Sequence, residues 1–197
     1  MYINKTIFGM AIVTAIAVPA TFLPAATAAT NIPAYTTGYS YWDNTPPGSA
    51  DISHPVLHNK AGGKGTYKDP VTVAVGHSII NGRDILDYKK GTRFYIPNLR
   101  KYFIVEDTCG DGKTPQNGPC HSLKRAPKGA KVWLDVWIGG ATSTRKQADD
   151  CMSKLTDGNG AIHAAILNPR KDYVTVSGDI LYKDKCRANY GNAPKLA

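Results

Sequence analysis

The chain has 197 residues, of which 42% are hydrophobic, 20% charged and 9% aromatic, the composition of one ordinary folded domain. Strand-length runs of Val, Ile, Leu and Phe, with no glycine period and no long charge block, exclude a collagen-like or largely disordered chain. Lys and Arg outnumber Asp and Glu by 24 to 15, a formal charge of +9, which favours polyanionic surroundings such as wall polymers, nucleic acid or lipid headgroups but assigns no chemistry.

Residues 1–28 read as a secretory signal peptide. Lys5 is followed by the apolar run IFGMAIVTAIAV, a Pro-containing stretch and the small residues Ala26-Thr27-Ala28, the order of a cleavable leader. The run is too short, and too interrupted by Pro19 and Pro24, for a comfortable membrane span. The expectation is a secreted, extracellular product with no membrane attachment after cleavage.

Residues 29–197 read as one domain. Its first part, 31–69, is rich in Gly, Pro, Ser, Thr and Asn and forms an N-terminal extension with one short alternating run, Tyr39-Ser-Tyr-Trp-Asp43. Strands of four to seven residues are predicted at 71–75, 93–97 and 102–107, and further on at 132–138, 161–167, 174–176 and 180–182. Only 144–155 has helical composition, and Gly158 stops it. Many short strands, irregular loops and one helix predict a mainly β protein built as a compact barrel.

Four cysteines, Cys109, Cys120, Cys151 and Cys186, in an exported chain read as two disulfides, with three pairings open. Cys109 and Cys120 bracket the Gly/Pro-rich loop GDGKTPQNGP, and Cys186 follows the last strand-like run, which favours 109–120 with 151–186. No C-x-x-C spacing occurs, and His54 and His58 have Pro55 between them, so neither a metal site nor a cofactor is expected.

Two segments carry the chemistry. In Val132-Trp-Leu-Asp-Val-Trp-Ile138 the strand period places Trp133, Asp135 and Trp137 on one face, opposite Val132, Leu134, Val136 and Ile138. In the run ending at Asp43 the same period aligns Tyr39, Tyr41 and Asp43, with Trp42 beside them. Aromatic rows offer platforms for sugar rings, and a carboxyl desolvated beside them can retain a proton near neutral pH. Tyr102–Asp111 runs from an apolar strand into an acidic turn pinned by Cys109. There Asp107 is the expected site member, Glu106 points the opposite way, and Asp111 lies further out in the turn.

The order Val71-Thr-Val-Ala-Val75, Gly91-Thr92-Arg-Phe-Tyr-Ile-Pro97, Phe103-Ile-Val-Glu-Asp107-Thr-Cys-Gly110 and Trp133-Leu-Asp135-Val-Trp-Ile-Gly139 resembles the double-psi β-barrel superfamily. Within it, the spacing resembles the three-aspartate domain of membrane-bound lytic transglycosylases of the A type, rare lipoprotein A and the first domain of expansins. The first aspartate of that pattern is replaced here by Val75-Gly76-His77. Tyr41-Trp42-Asp43 also resembles the opening of the family forty-five endoglucanases, although the cysteine-rich run that follows there is replaced by Asn44-Thr45-Pro46-Pro47. The resemblance implies a six-stranded double-psi barrel with one or two short helices and long disulfide-pinned loops. It implies Asp135 as general acid, Asp43 as general base and Asp107 as a further loop acid.

The expected function is cleavage of a β-glycosidic bond in a cell-wall polysaccharide by carboxylate acid/base catalysis. Tyr39, Tyr41, Trp42, Trp133 and Trp137 would bind the polymer. If a sugar hydroxyl attacks instead of water, Asp135 alone serves as acid and base. The alternative is a non-catalytic, expansin-like wall-binding, defence-related or inhibitor protein on the same barrel. A nucleic-acid partner is disfavoured because no aromatic and basic strand signature accompanies the charge; a monomer is expected. Neither a serine-hydrolase motif nor a reduced cysteine for a papain-like site is present.

Overall fold

Strand β6, Val132–Trp137, forms because its residues alternate: Val132, Leu134 and Val136 are 5%, 0% and 0% exposed and pack into the main apolar cluster. Seven more segments repeat this burial logic or extend it. They are β1 (Thr30–Tyr39), β2 (Val71–Ile80), β3 (Arg83–Leu86), β4 (Arg93–Ile96), β5 (Lys101–Cys109), β7 (Ile162–Leu167) and β8 (Leu181–Tyr182). A two-residue strand β9, Lys185–Cys186, pairs with β8. The computed structural model describes Met1, residues 28–156 and residues 160–197, so the predicted leader lies, except for its two end residues, outside the described residues.

Six strands close into a ring. The order β2-β5-β4-β7-β1-β6 returns to its start through a β2–β6 pairing. Two pairs are parallel, β1 with β6 and β2 with β5. The other four contacts around the ring are antiparallel. β3 hangs on the outer edge of β2 as a hairpin. Its turn is Asn81-Gly82, both at positive φ, the conformation that the twist of a two-residue hairpin demands.

The sequence reading differs from the structure in several places, among them the extension of β2 to Ile80 and the whole of β3, neither of which it predicted. Strand β1 occupies 30–39, inside the stretch read as an extension. Pro33 masks it in the sequence, yet β6 joins β1 only from Ala34 onward, so the missing proline N–H breaks no bond to β6. Residues 174–176 form no strand; Val174 and Val176 instead donate to the carbonyls of Lys195 and Arg100. The segment 39–43 is the end of β1 followed by a turn, so Tyr41 and Asp43 do not continue a strand row.

Both disulfides link the favoured partners, Cys109 to Cys120 and Cys151 to Cys186. The first closes a loop that holds a single 3₁₀ turn, Pro115–Asn117, and the short helix α1, Pro119–Ser122. The second ties β9 to helix α2, Arg145–Leu155. α2 starts where predicted because Thr144 and Gln147 form a reciprocal capping box. Ala148, Cys151 and Leu155 are its buried face. Gly38 of β1 admits that face: a Cβ there would sit 2.6 Å from the Leu155 methyl. Among the described residues no helix is long and apolar enough to cross a membrane.

A register shift between Val73 and Ala74 leaves Glu106 as the extra residue of β5, a bulge of the kind that redirects side chains. Glu106 is fully buried. Its carboxylate accepts the amides of Val56, Leu57 and His58 at 3.2, 2.6 and 2.9 Å, the Thr72 hydroxyl at 3.1 Å and His58 Nδ1 at 2.7 Å. His58 Nε2 reaches Asp69 at 3.0 Å. This clasp anchors the loop that leads from Asp51 to His58.

The clasp is pH-dependent in both directions. Burial pushes the His58 pKa down, but hydrogen bonds to Glu106 and Asp69 outweigh it and leave the pKa raised. Burial pushes Glu106 up, and the His58 ring and the His58 and Leu57 amides outweigh that, leaving it lowered. The His58 contribution is therefore complete below the ordinary imidazole pKa and is lost as pH climbs through the raised value. The Glu106 contribution is complete above the ordinary carboxylate pKa and is lost as pH falls through the lowered one. Both act fully between about pH 4.3 and 6.5. Thermal melts should show His58→Gln costing most stability near pH 5.5 and less at pH 9. An equal cost at both would contradict the clasp.

Candidate functional site

Ala74 of β2 lies in register with Asp107 of β5 on one side and with Asp135 of β6 on the other. With strands about 4.8 Å apart, the two acidic residues stand roughly 10 Å apart along the backbone with one small residue between them. Tyr39, the last residue of β1, and Asp43, in the turn after it, come to the same place. All line one open cleft of about 640 Å³ at the mouth of the ring. The loop 44–53 and the disulfide-pinned residues Cys109, Gly110 and Asp111 complete its walls. Five carboxylates, those of Asp43, Asp51, Asp107, Asp111 and Asp135, face it, and among the described residues no Lys, Arg or His does.

The three expected acids differ in what holds them. Asp107 is saturated: Oδ1 accepts the Ser53 amide, the Ser53 hydroxyl and the Thr108 amide at 3.0, 2.9 and 2.9 Å, and Oδ2 accepts the Tyr39 hydroxyl at 3.0 Å. Burial, then the charge of Asp107, pushes the Tyr39 pKa far above the ordinary phenol range, so Tyr39 remains a donor. Asp43 is held on one side, Oδ1 accepting the Ser40 amide and hydroxyl at 2.8 and 2.6 Å. Among the described residues Asp135 receives a single hydrogen bond, from the Thr37 hydroxyl at 2.6 Å, and Thr37 in turn accepts Trp133 Nε1 at 2.7 Å. Burial pushes the Asp135 pKa up to about 7; the Thr37 bond opposes this, and the nearby charges of Asp43 and Asp107 add to it.

A carboxyl poised near neutrality at the wall of an open cleft can deliver a proton, while a carboxylate with a free oxygen can take one. Among the described residues no group of three or more His, Cys, Asp or Glu side chains is arranged to hold a metal ion. His54 and His58 turn to separate acidic partners, Asp84 and the Glu106–Asp69 pair.

The aromatic residues go elsewhere. Of the five expected as platforms, Tyr39 alone lines the cleft. Trp137 is buried edge-on against Tyr39, with centroids 5.2 Å apart. Trp133 packs on Tyr35 at 4.6 Å and borders a separate hollow beside His121. Trp42 donates to the carbonyls of Gly140 and Ser143 at 3.0 and 3.1 Å, with Tyr41 against it. An indole needs apolar cover and a partner for its N–H; the Trp42 N–H finds loop carbonyls and the Trp133 N–H the Thr37 hydroxyl of β1. The expected carboxylate between two indoles is therefore replaced by one held through a Trp133–Thr37 relay. The sequence reading missed Thr37, Asp51, Ser53 and Ala74, which carry no motif; only strand register brings Thr37 opposite Asp135.

A raised acid pKa has a cost to stability. The folded chain keeps the Asp135 proton up to about pH 7, whereas an unfolded aspartic acid loses it near 3.9. Stability therefore falls as pH rises between these values. Asp135→Asn should melt higher than the wild type at pH 8 and equally at pH 4. A gain that is the same at both values, or a loss at pH 8, would contradict the assignment.

Residues 31–188 match the family model described as the DDB_G0273701 N-terminal domain. An uncharacterized protein of Dictyostelium discoideum is 35% identical over 108 residues, covering 54% of this chain and 39% of that protein. The chain thus spans about two fifths of the length of this curated relative. No solved structure matches it significantly. Because the family model covers all six ring strands except the first residue of β1, and every candidate acid in the cleft, the chain belongs to the DDB_G0273701 N-terminal domain family.

Proposed function

We propose that this protein is a secreted carbohydrate-active enzyme that cleaves a β-glycosidic bond in a cell-wall polysaccharide, on a six-stranded double-psi β-barrel. The closed ring with two parallel pairs supports the barrel reading, and the two disulfides fit an oxidising compartment. The observation that carries the activity is Asp135: its pKa is raised to about 7, and it shares one cleft with Asp43 and Asp107.

Glycoside cleavage needs an acid that protonates the departing oxygen and a carboxylate that activates water or steadies positive charge on the ring. Asp135 fills the first role. Asp43 has one oxygen tied to Ser40 and the other without a hydrogen bond among the described residues, which suits it to act as base on water. Asp107, with both oxygens saturated by donors, suits electrostatic stabilisation of a developing oxocarbenium ion. If a sugar hydroxyl replaces water, Asp135 serves as acid and base, and Asp43 is dispensable.

Reducing-end assays on cellulose, glucan, chitin and peptidoglycan test this. One polymer should be cleaved by the wild type. Asp135→Asn, isosteric and unable to deliver a proton, should lower the rate about 10²-fold or more while polymer binding is kept. If the wild type binds one of them but releases fragments from none, the cleft is a binding groove and the protein a non-catalytic wall-binding member of the same fold.

A further inference from the structure

A second hollow, of about 440 Å³, lies where β1 and β4 begin and β7 ends. Arg93, Arg170 and Lys171 line it with Tyr67, Thr92 and Asn168, and no carboxylate does. Its sign is opposite to that of the acidic cleft. The hollow adjoins the start of β1 and the cleft adjoins its end, Tyr39, and ten residues of extended strand span roughly 30 Å.

The cations are positioned by the fold. Arg93 donates Nη1 to the Tyr67 carbonyl, and its guanidinium sits 4.7 Å from the Tyr67 ring centroid. The Lys171 ammonium sits 5.4 Å from the same centroid. Tyr67 is set edge-on to the buried Tyr102 at 5.3 Å. The Tyr102 hydroxyl donates to the Arg170 carbonyl at 2.7 Å and accepts the Tyr173 amide at 2.9 Å, which pins the segment carrying Arg170 and Lys171.

Of the three cations, Arg170 is paired with a carboxylate, Asp172, at 2.6 Å. Among the described residues Arg93 and Lys171 have no carboxylate partner, and the side chains of Thr92 and Asn168 make no hydrogen bond. Two uncompensated cations and two neutral polar groups in a concave site suit an oxyanion.

We propose that this hollow is an anion subsite that, with the polysaccharide carrier resting on the function proposed above, binds a carboxylate, sulfate or phosphate group borne on that polymer. It does so independently of any chemistry in the acidic cleft. Single-stranded nucleic acid fits less well, because Arg93, Lys171 and Tyr102 already crowd the Tyr67 ring, the aromatic lining of the hollow, and a base needs an open platform.

Isothermal titration of the disulfide-bonded protein at 50 and 200 mM NaCl tests the site with three probes: hexagalacturonate, a heparin hexasaccharide and a mannose-6-phosphate oligosaccharide. At least one should bind, more weakly at the higher salt. The Arg93→Gln/Lys171→Gln variant should lose about tenfold or more of that affinity. Lys146→Gln, on α2, should bind as the wild type does. Lys171→Glu, whose ammonium makes no hydrogen bond in the protein, repeats the test without disturbing the Arg93 contact. Binding of none of the probes, affinities within twofold of wild type in both hollow variants, or an equal loss in Lys146→Gln would overturn the proposal. So would tighter binding of an oligodeoxythymidylate of matched charge through the same residues.

Discussion

Strand β2 is shared by two neighbours that do not pair with each other: it runs parallel to β5 and antiparallel to β6. The β2–β6 contact, three residue pairs long, closes the ring. Closure fixes Ala74 between Asp107 and Asp135, and the small side chain leaves the space above it open to the cleft. Because side chains alternate with a period of two, a one-residue slip of either register would turn one of these acids away. The bulge at Glu106 sets that register on the β5 side.

Charge is sorted by position. The chain carries an excess of nine basic side chains, yet the cleft gathers five carboxylates and no base. Carboxylates gathered in one place repel, and the cleft tolerates them by different means: Asp51 pairs with Lys60, Asp107 has four donors, Asp43 its serine turn, and Asp135 retains its proton. The last solution is the one with chemical consequences, since stability is given up where a proton is held ready. Glu106, the most deeply buried acid, has the opposite character. Three backbone amides, the Thr72 hydroxyl and the His58 ring keep it ionised and structural.

Much of the scaffold was legible because local rules agreed with the fold. The alternation at 132–138, the helical composition of 144–155 and the loop bracketed by Cys109 and Cys120 each name their own structure. The acids Asp43, Asp107 and Asp135 were legible as residues placed at strand ends or between large side chains, and they do meet in one cleft. Less visible were features set by distant partners. β1 was hidden by Pro33, which is harmless only because β6 starts one residue later. The destinations of Trp42 and Trp133 depend on carbonyl and hydroxyl acceptors 96 to 101 residues away in the chain. Thr37 enters the site through its register with Asp135.

The central claim is that burial in a closed ring, beside two other acids, keeps the Asp135 carboxyl protonated to near neutral pH. Carbon-13 NMR of the aspartate carboxyl groups, followed from pH 3 to pH 9 and assigned with Asp135→Asn, measures this directly. A midpoint near 7 for Asp135, rising further in Thr37→Val, is the result predicted. A midpoint near 4, or one that Thr37→Val leaves unchanged, would contradict the account.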